Sequence, residues 1–283
     1  MTIQCFYHAD CMDGLAAAYL LRQNLPEIKL EDMIAVKYKE PMPEVKPGAT
    51  LYIVDFSYSP EELLSACAIA KDVLLFDHHE SAVKNLEAYF AINPVPANLH
   101  LTLDQTRSGV GLVHWSFSGD LPIQGIAKYI EDRDLWRFRY EETRPIFAAC
   151  MMHGVTFEAL EYLEKIGVEQ AVAQGKLLIA KENQMIDWHI ANSVQWGTFD
   201  GTDIPLVNAP RYITSELGGR LAETYPFVAL YRDDANMREY SLRSRKDGGA
   251  DVSLIAARFG GGGHKNAAGF RMELWQPCPF RNQ

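Results

Sequence analysis

Cysteine is scarce in this sequence and is not arranged in pairs. The 283 residues include five cysteines, namely Cys5, Cys11, Cys67, Cys150 and Cys278. Their number is odd, their spacing is irregular and no CxxC pair occurs, so neither a disulfide framework nor a thiolate zinc site is indicated. The reducing cytosol is therefore the expected compartment.

Long apolar runs are also lacking. No stretch approaches the roughly 20 apolar residues that a membrane helix requires. The first residues, MTIQCF, do not have the positively charged start of a signal peptide. The sequence therefore predicts a cytoplasmic protein without a membrane partner.

The sequence has fewer basic than acidic residues. The chain has 27 Lys and Arg against 37 Asp and Glu, which gives a net charge of −10. Proteins that coat long nucleic acids depend on many basic contacts to phosphates, so this class is disfavoured. An acidic chain can still act on phosphates if divalent cations neutralise its carboxylates. The richest local basic stretch is residues 238–246, with Arg238, Arg243, Arg245 and Lys246.

Strand-like and helix-like segments alternate over the first 135 residues. Strands are predicted at residues 3–7, 34–36, 51–54 and 73–76, and helices at residues 14–23 and 60–70. Ser59, Pro60 and Glu62 have the spacing of an N-cap, a first-turn proline and a capping-box acid. Such alternation predicts right-handed crossovers and a mostly parallel sheet.

The pattern changes twice in the rest of the chain. From Phe157 to about Ala191, apolar residues recur at helical spacing, which predicts a helical connector. Beyond it, strands are predicted at residues 204–207, 227–231 and 240–242, with a helix at 214–223. We therefore predict an α/β protein of two domains, with a catalytic domain at 1–150, a connector at 151–195 and a smaller α/β domain at 196–283.

The triplet Asp77-His78-His79 directly follows the apolar run at residues 73–76. That run predicts a buried parallel strand, and open α/β sheets place their ligands at the carboxyl ends of such strands. A carboxylate and two imidazoles would thus emerge together on a rigid element. The sequence predicts that they hold a ligand, although a solvated strand end is the simpler alternative.

Further acidic groups lie at equivalent positions. The first strand leads into His8, Asp10 and Asp13, the third strand ends at Asp55, and a later helix ends in the segment 131–134, which contains Asp132. Oxygen ligands mixed with imidazole, without thiolate, suit Mn²⁺ or Mg²⁺. So many ligands exceed what one ion needs. A two-metal centre with a bridging carboxylate, able to activate water and hold a phosphate, would use them.

A second motif, FGGGGHKNAAG at residues 259–269, is rich in glycine. Without Cβ atoms, Gly261, Gly262 and Gly263 would let the backbone approach a phosphate and donate N–H groups to it. The residues from Lys265 to Gly269 are predicted to begin a helix, whose amino end would favour the same anion. His264 would then bond a phosphate oxygen. A flexible turn with an incidental histidine is the alternative.

These motifs, in this order, resemble the DHH phosphoesterase superfamily, which is named for its Asp-His-His triplet. The resemblance implies two Mn²⁺ ions, with Mg²⁺ or Co²⁺ as substitutes, and attack on the phosphate by water rather than by a side chain. It implies that Asp55 bridges both ions and that His79, with Asp77, is catalytic and faces the phosphate. By position, the implied metal ligands are His8, Asp10, Asp13, Asp55, Asp77, His78 and Asp132.

Two departures from the family pattern leave alternatives open. Many relatives separate the two aspartates of the first motif by one residue, whereas Cys11 and Met12 lie between Asp10 and Asp13. Either this loop is therefore rebuilt relative to those relatives, or Asp10 is not a direct ligand. In the fourth motif of the family, which matches residues 131–134 of this sequence, Asp132 fits the alignment slightly better than Asp134, which would leave Asp134 or Arg133 as a supporting or substrate-facing group.

The glycine motif resembles the Gly-Gly-Gly-His segment of a C-terminal domain that accompanies many DHH phosphoesterases. The resemblance implies that this domain binds the nucleotide, with Arg243 and Arg245 on phosphate oxygens. The tryptophans Trp115, Trp136, Trp188 and Trp196 are predicted to be packing residues rather than platforms for stacking bases.

Together the residues and the resemblance favour a hydrolase that cuts short RNA or DNA oligonucleotides to nucleoside monophosphates. The alternatives are removal of phosphate from 3′-phosphoadenosine 5′-phosphate, cleavage of cyclic or linear dinucleotides, and exopolyphosphatase or pyrophosphatase activity. A metal-free nucleotide-binding module is the least favoured. The sequence leaves open the exact substrate and whether the chain forms a homodimer.

Overall fold

The computed structural model describes residues 2–37 and 40–280. The chain divides into two compact units, Met1–Ile179 and Ala180–Gln283. The division lies inside the predicted connector. None of the described helices combines the length and apolar character that a membrane crossing requires.

The first unit is built on a five-stranded parallel sheet. Its strands are β1 (Ile3–His8), β2 (Met33–Val36), β3 (Thr50–Val54), β4 (Asp72–Asp77) and β5 (Leu99–Leu103). They lie in the order β2-β1-β3-β4-β5, and every neighbouring pair is parallel. The predicted parallel sheet is thus confirmed, together with its first four strands, and β5 is an addition.

Helices follow the strands of the first unit. They are α1 (Met12–Asn24), α2 (Pro60–Ile69), α3 (Glu80–Phe90), α4 (Gly109–Ser118), α5 (Gly125–Asp134) and α6 (Thr143–His153). The predicted capping box of α2 is present, because the Ser59 hydroxyl accepts from the Glu62 N–H and the Glu62 carboxylate accepts from the Ser59 N–H.

Both faces of this sheet are buried, as a parallel sheet requires. Successive side chains alternate between two apolar clusters: Cys5 and Val54 belong to one, whereas Phe6 and Ile53 belong to the other. The first cluster is completed mainly by α1, α4, α5 and α6, and the second by α2 and α3. This double cover fixes the sheet and leaves its strand ends free for a site.

Helix α7 (Phe157–Asn192) occupies most of the predicted connector. Its helical geometry is interrupted at Gly167, where φ is +80°. Glycine adopts this left-handed conformation without the steric cost that a Cβ imposes.

The second unit contains a six-stranded mixed sheet. Its strands are β6 (Val194–Phe199), β7 (Thr202–Asn208), β8 (Val228–Asp234), β9 (Met237–Arg243), β10 (Gly262–His264) and β11 (Ala267–Glu273), in the order β10-β11-β9-β8-β7-β6. Only the β7–β8 pair is parallel, and α8 (Thr214–Ala222) connects these two strands; α9 (Val252–Ala257) follows β9. The predicted strands and the helix at 214–223 are confirmed.

The helix predicted from Lys265 is wrong. His264 pairs with Ala267 in an antiparallel ladder, so Lys265 and Asn266 form a two-residue hairpin turn. Hairpins of this length commonly place asparagine in the turn. The small residues that suggested a helix instead form the strand β11 beside β9.

Candidate metal centre at the edge of the parallel sheet

The strand order of the first unit determines where a ligand can bind. The chain passes from β1 to β2 on one side and then to β3 on the other side of β1. Open α/β sheets bind ligands at the carboxyl ends of the strands that flank such a switch point. His8 ends β1, and Asp55 directly follows β3. The two residues therefore flank the crevice that the topology creates.

Asp55 lies at the centre of the resulting cluster. Its side chain is 1% exposed, and its two oxygens contact different histidines. Oδ2 is 3.3 Å from His8 Nδ1, whereas Oδ1 is 3.1 Å from His78 Nε2. The backbone of Asp55 has a φ of +65°, a conformation that costs energy for a residue with a Cβ and that often accompanies functional sites.

Two three-residue groups with the geometry of metal ligands share Asp55. One is His8, Asp55 and His79, and the other is Asp13, Asp55 and His78. In each group, one donor atom per residue lies within 4.8 Å of the others. A single carboxylate that belongs to both groups is the arrangement of a bridged two-ion centre.

The N-terminus of α4 holds Asp13 in place. The Asp13 carboxylate accepts from the Ser108 hydroxyl at 2.7 Å, from the Gly109 N–H at 2.5 Å and from the Val110 N–H at 3.2 Å. These residues were missed in the sequence. The only available signal was a serine at an N-cap position before an apolar run.

Close packing around the aspartates requires glycine at two positions. A Cβ at Gly109 would come within 2.6 Å of the Asp55 Cβ and 2.8 Å of Asp13 Oδ2. A Cβ at Gly14 would come within 2.6 Å of the His8 carbonyl oxygen. Gly14 directly follows Asp13 in the sequence, and its role is this close approach.

Asp77 is placed differently from the other predicted ligands. It is fully buried and accepts from the Ser57 hydroxyl at 2.5 Å and from the backbone N–H groups of His78 and His79. Its Oδ1 also lies 2.7 Å from His79 Nδ1. Asp77 is in neither ligand group, and its contacts instead orient the imidazole of His79 through Nδ1.

The two aspartates of the fourth motif, Asp132 and Asp134, lie in different environments. Asp134 Oδ2 lies 3.5 Å from His78 Nε2, with a side chain that is 28% exposed. Asp132 is 3% exposed and accepts from the Arg139 N–H and the Thr143 hydroxyl. The structure therefore brings Asp134 to the cluster, whereas the predicted ligand Asp132 is engaged in local hydrogen bonds.

Asp10 is not brought to the cluster. Its side chain is 77% exposed and forms an ion pair with Lys37 at 2.9 Å. Cys11 and Met12, which separate Asp10 from Asp13, lie where α1 begins, and Asp10 has a left-handed φ of +55°. Of the two alternatives that the sequence left open, this position favours the one in which Asp10 is not a direct ligand.

The cluster concentrates negative charge in a buried place. Burial and the neighbouring Asp55 and Asp134 raise the pKa of Asp13 well above its ordinary value. Burial and Asp55 likewise raise the pKa of Asp134. Burial also acts to raise the pKa of Asp55, but hydrogen bonds from His78 and His8 outweigh it and lower that pKa.

These residues fit a pair of divalent cations. Within the described ranges, every ion pair of Asp13 and Asp55 is with a histidine rather than with Lys or Arg. Carboxylate and imidazole donors suit Mn²⁺, Mg²⁺ and similar ions, and a dication would relieve the repulsion that perturbs the pKa of Asp13.

The predicted substrate-binding residues lie in the second unit. Arg243 is half-buried and donates to the Ser215 hydroxyl at 3.1 Å, whereas Arg245 is exposed and donates to the Glu223 carbonyl. Gly262, Gly263 and His264 are exposed on the edge strand β10, and Gly261 immediately precedes it. Arg243 borders a cavity of about 420 Å³ that Gly262 and Gly263 also line.

The chain is similar to known proteins in sequence and in fold. No family model matches the sequence. An uncharacterized protein of Acanthamoeba polyphaga mimivirus is 26% identical over 315 residues, covering 97% of this chain and 68% of that protein. A pGpG-specific phosphodiesterase from Vibrio cholerae is similar in structure, with a TM-score of 0.59 and 12% identity, covering 96% of this chain and 94% of that chain.

A third similar protein is an exopolyphosphatase-related protein from Bacteroides fragilis, with a TM-score of 0.42 and 13% identity over 98% of this chain and 88% of that chain. The likeness to the Vibrio protein shows that this chain shares its fold. It agrees with the predicted α/β protein of two parts.

Proposed function

We propose that this protein is a metal-dependent phosphoesterase that hydrolyses short oligonucleotides, linear dinucleotides included, to nucleoside monophosphates. The observation that carries the proposal is the pair of ligand groups that share Asp55 at the switch point of the parallel sheet. The shared fold with a pGpG-specific phosphodiesterase supports it.

The ligand groups divide the residues between two ions. His8, Asp55 and His79 would hold one ion, whereas Asp13, Asp55, His78 and Asp134 would hold the other. When bound, Mn²⁺ or a similar ion would lower the pKa of a coordinated water and stabilise negative charge on the phosphate oxygens.

Other groups of the protein hold the ligand side chains of this centre in position. Asp77 orients the imidazole of His79, and the N-terminus of α4 orients the carboxylate of Asp13. Both supports are buried, so they fix the donors before a substrate arrives, which is what catalysis by positioning requires. The resemblance implies that His79 also faces the phosphate, which is compatible with an imidazole that Asp77 orients through Nδ1.

Substrate size follows from the distribution of charge. A net charge of −10 opposes long polyanions, whose binding needs many basic contacts. The exposed glycine-rich strand β10 with His264, and the guanidinium groups of Arg243 and Arg245, offer a small number of phosphate contacts in the second unit. A short substrate, which has few phosphates, matches this small number of phosphate contacts.

The test is a panel of substrates assayed with and without Mn²⁺. It comprises di- to decanucleotides of RNA and DNA, pGpG, a cyclic dinucleotide, 3′-phosphoadenosine 5′-phosphate, pyrophosphate and polyphosphate. We expect metal-dependent release of nucleoside monophosphates, fastest from the shortest oligonucleotides. Hydrolysis of no oligonucleotide, or orthophosphate release from pyrophosphate or polyphosphate alone, would overturn the proposal.

A further inference from the structure

The segment that follows Asp134 has an unusual backbone. Trp136 has a φ of +54° and Phe138 a φ of +49°. Left-handed backbone is rare for bulky side chains, and two such aromatic residues in one short segment are rarer still. Strained conformations of this kind cluster at ligand-binding sites and persist only where surrounding contacts enforce them.

Those contacts are present. The Arg137 N–H donates to the Asp132 carbonyl at 2.9 Å, and the Arg139 N–H donates to the Asp132 carboxylate at 3.0 Å. The Trp136 N–H donates to the Arg133 carbonyl at 3.0 Å, and the Arg137 guanidinium donates to the Thr106 carbonyl. The buried Asp132 thus holds the segment folded back on the end of α5.

The segment folded back on α5 exposes the indole of Trp136 to solvent. The residue is 60% exposed, so it is not the packing residue that the sequence predicted. The Arg133 guanidinium lies 4.1 Å from the indole centroid, and the Phe138 ring meets the indole edge-on at a centroid distance of 5.0 Å. These neighbours fix the orientation of the indole while more than half of its surface stays open.

Trp136 is also close in sequence to the candidate metal centre. Trp136 is two residues from Asp134, whose Oδ2 is 3.5 Å from His78 Nε2. Two residues span roughly 7 Å at most. The backbone of Trp136 is therefore within about 7 Å of that of Asp134, a separation that a phosphate at this centre and its attached base can span.

We propose that Trp136, supported by Arg133, is a stacking site for the nucleobase of the nucleotide next to the scissile phosphate. An oriented aromatic ring attracts bases of any identity, because every base has a π-face, and a guanidinium on the indole strengthens such stacking. This inference rests on the proposed function and adds the recognition of a base in the first unit.

The kinetic test compares Trp136→Ala with the wild type on two substrates. One is a dinucleotide, and the other is an abasic dinucleotide with the same sugar–phosphate backbone. Stacking is worth about 1–3 kcal/mol per base, which corresponds to about 5- to 150-fold. We expect the preference in kcat/KM for the substrate with bases to fall by a factor in this range, mainly through KM.

Two variants serve as controls. Trp136→Phe keeps an aromatic ring and should keep most of the preference. Trp188→Ala removes a tryptophan of similar exposure, 58%, in the second unit and should leave the preference unchanged. An unchanged preference in Trp136→Ala, or an equal fall in Trp188→Ala, would overturn the proposal.

A binding test separates this inference from the proposed function. Titration of the metal-free protein with GMP should quench tryptophan fluorescence, and Trp136→Phe should lose most of the quenching while Trp188→Phe keeps it. If the wild type hydrolyses no substrate, the proposed function fails but this titration still decides the stacking site. Quenching that survives intact in Trp136→Phe would contradict it.

Discussion

Among single residues, Asp55 matters most for the proposed metal centre, because its carboxylate alone belongs to both ligand groups. We predict that Asp55→Asn lowers the bound Mn²⁺ from two ions per chain to less than one, measured by mass spectrometry of metals after dialysis. Asp10→Asn is the matched control, since Asp10 is exposed and paired with Lys37. Equal metal loss in both variants would refute the bridging role.

Substitutions of Asp132 and Asp134 should have different kinds of effect, although the two positions are only two residues apart. Asp134→Asn should weaken Mn²⁺ binding by about 100-fold or more, as loss of a direct ligand exceeds the effect of its supporting partners. Asp132→Asn should instead lower the free energy of unfolding by about 1–3 kcal/mol, because it disturbs buried hydrogen bonds. Calorimetric Mn²⁺ titration and urea unfolding separate the two effects, and reversed roles would restore Asp132 as the ligand.

The raised pKa of Asp13 predicts a pH dependence of stability in the metal-free protein. A carboxyl with a raised pKa binds its proton more tightly in the folded state, so stability falls as pH rises from about 4 toward the raised pKa. Asp13→Asn removes this loss and keeps an acceptor oxygen. We expect its Tm to exceed that of the wild type at pH 8 and the difference to shrink toward pH 4. A metal-free variant less stable than the wild type at pH 8 would contradict this.

At the scale of elements, the start of α4 is as important as the strand ends. Gly109→Ala should weaken Mn²⁺ binding and lower Tm, because the new methyl would meet the Asp55 side chain. Gly219→Ala is the control: Gly219 lies inside α8 with open space where its Cβ would be. That substitution should stabilise the protein by about 0.4–1 kcal/mol. Thermal melts with and without Mn²⁺ distinguish the two, and normal binding in Gly109→Ala would refute the close approach.

The elements also show what the sequence could reveal. Apolar runs of three to five residues were enough to predict β1 to β4, and strand ends were enough to predict that His8, Asp55 and His78 lie close together. The N-terminus of α4 was missed, because Ser108 contacts a residue 95 positions away and no local pattern encodes such a contact. The hairpin at Lys265 was mistaken for a helix, since its small residues are compatible with either structure until the pairing with β9 is known.

At the scale of the whole molecule, composition and alternation of elements were sufficient for the fold class and for two units. They could not distinguish Asp132 from Asp134 as the ligand, because that choice depends on how the chain folds back after α5. Nor could they show that Trp136 is exposed, since tryptophan is buried more often than not and its exposure here follows from a strained backbone.

An anomalous difference map from crystals of the protein grown with Mn²⁺ would show directly whether Asp55 lies between two metal ions. We expect two peaks about 3.5–4 Å apart, one between His8 and His79 and the other between Asp13 and His78. Peaks at Asp10 or Asp132 instead, or no peak beside Asp55, would contradict this arrangement.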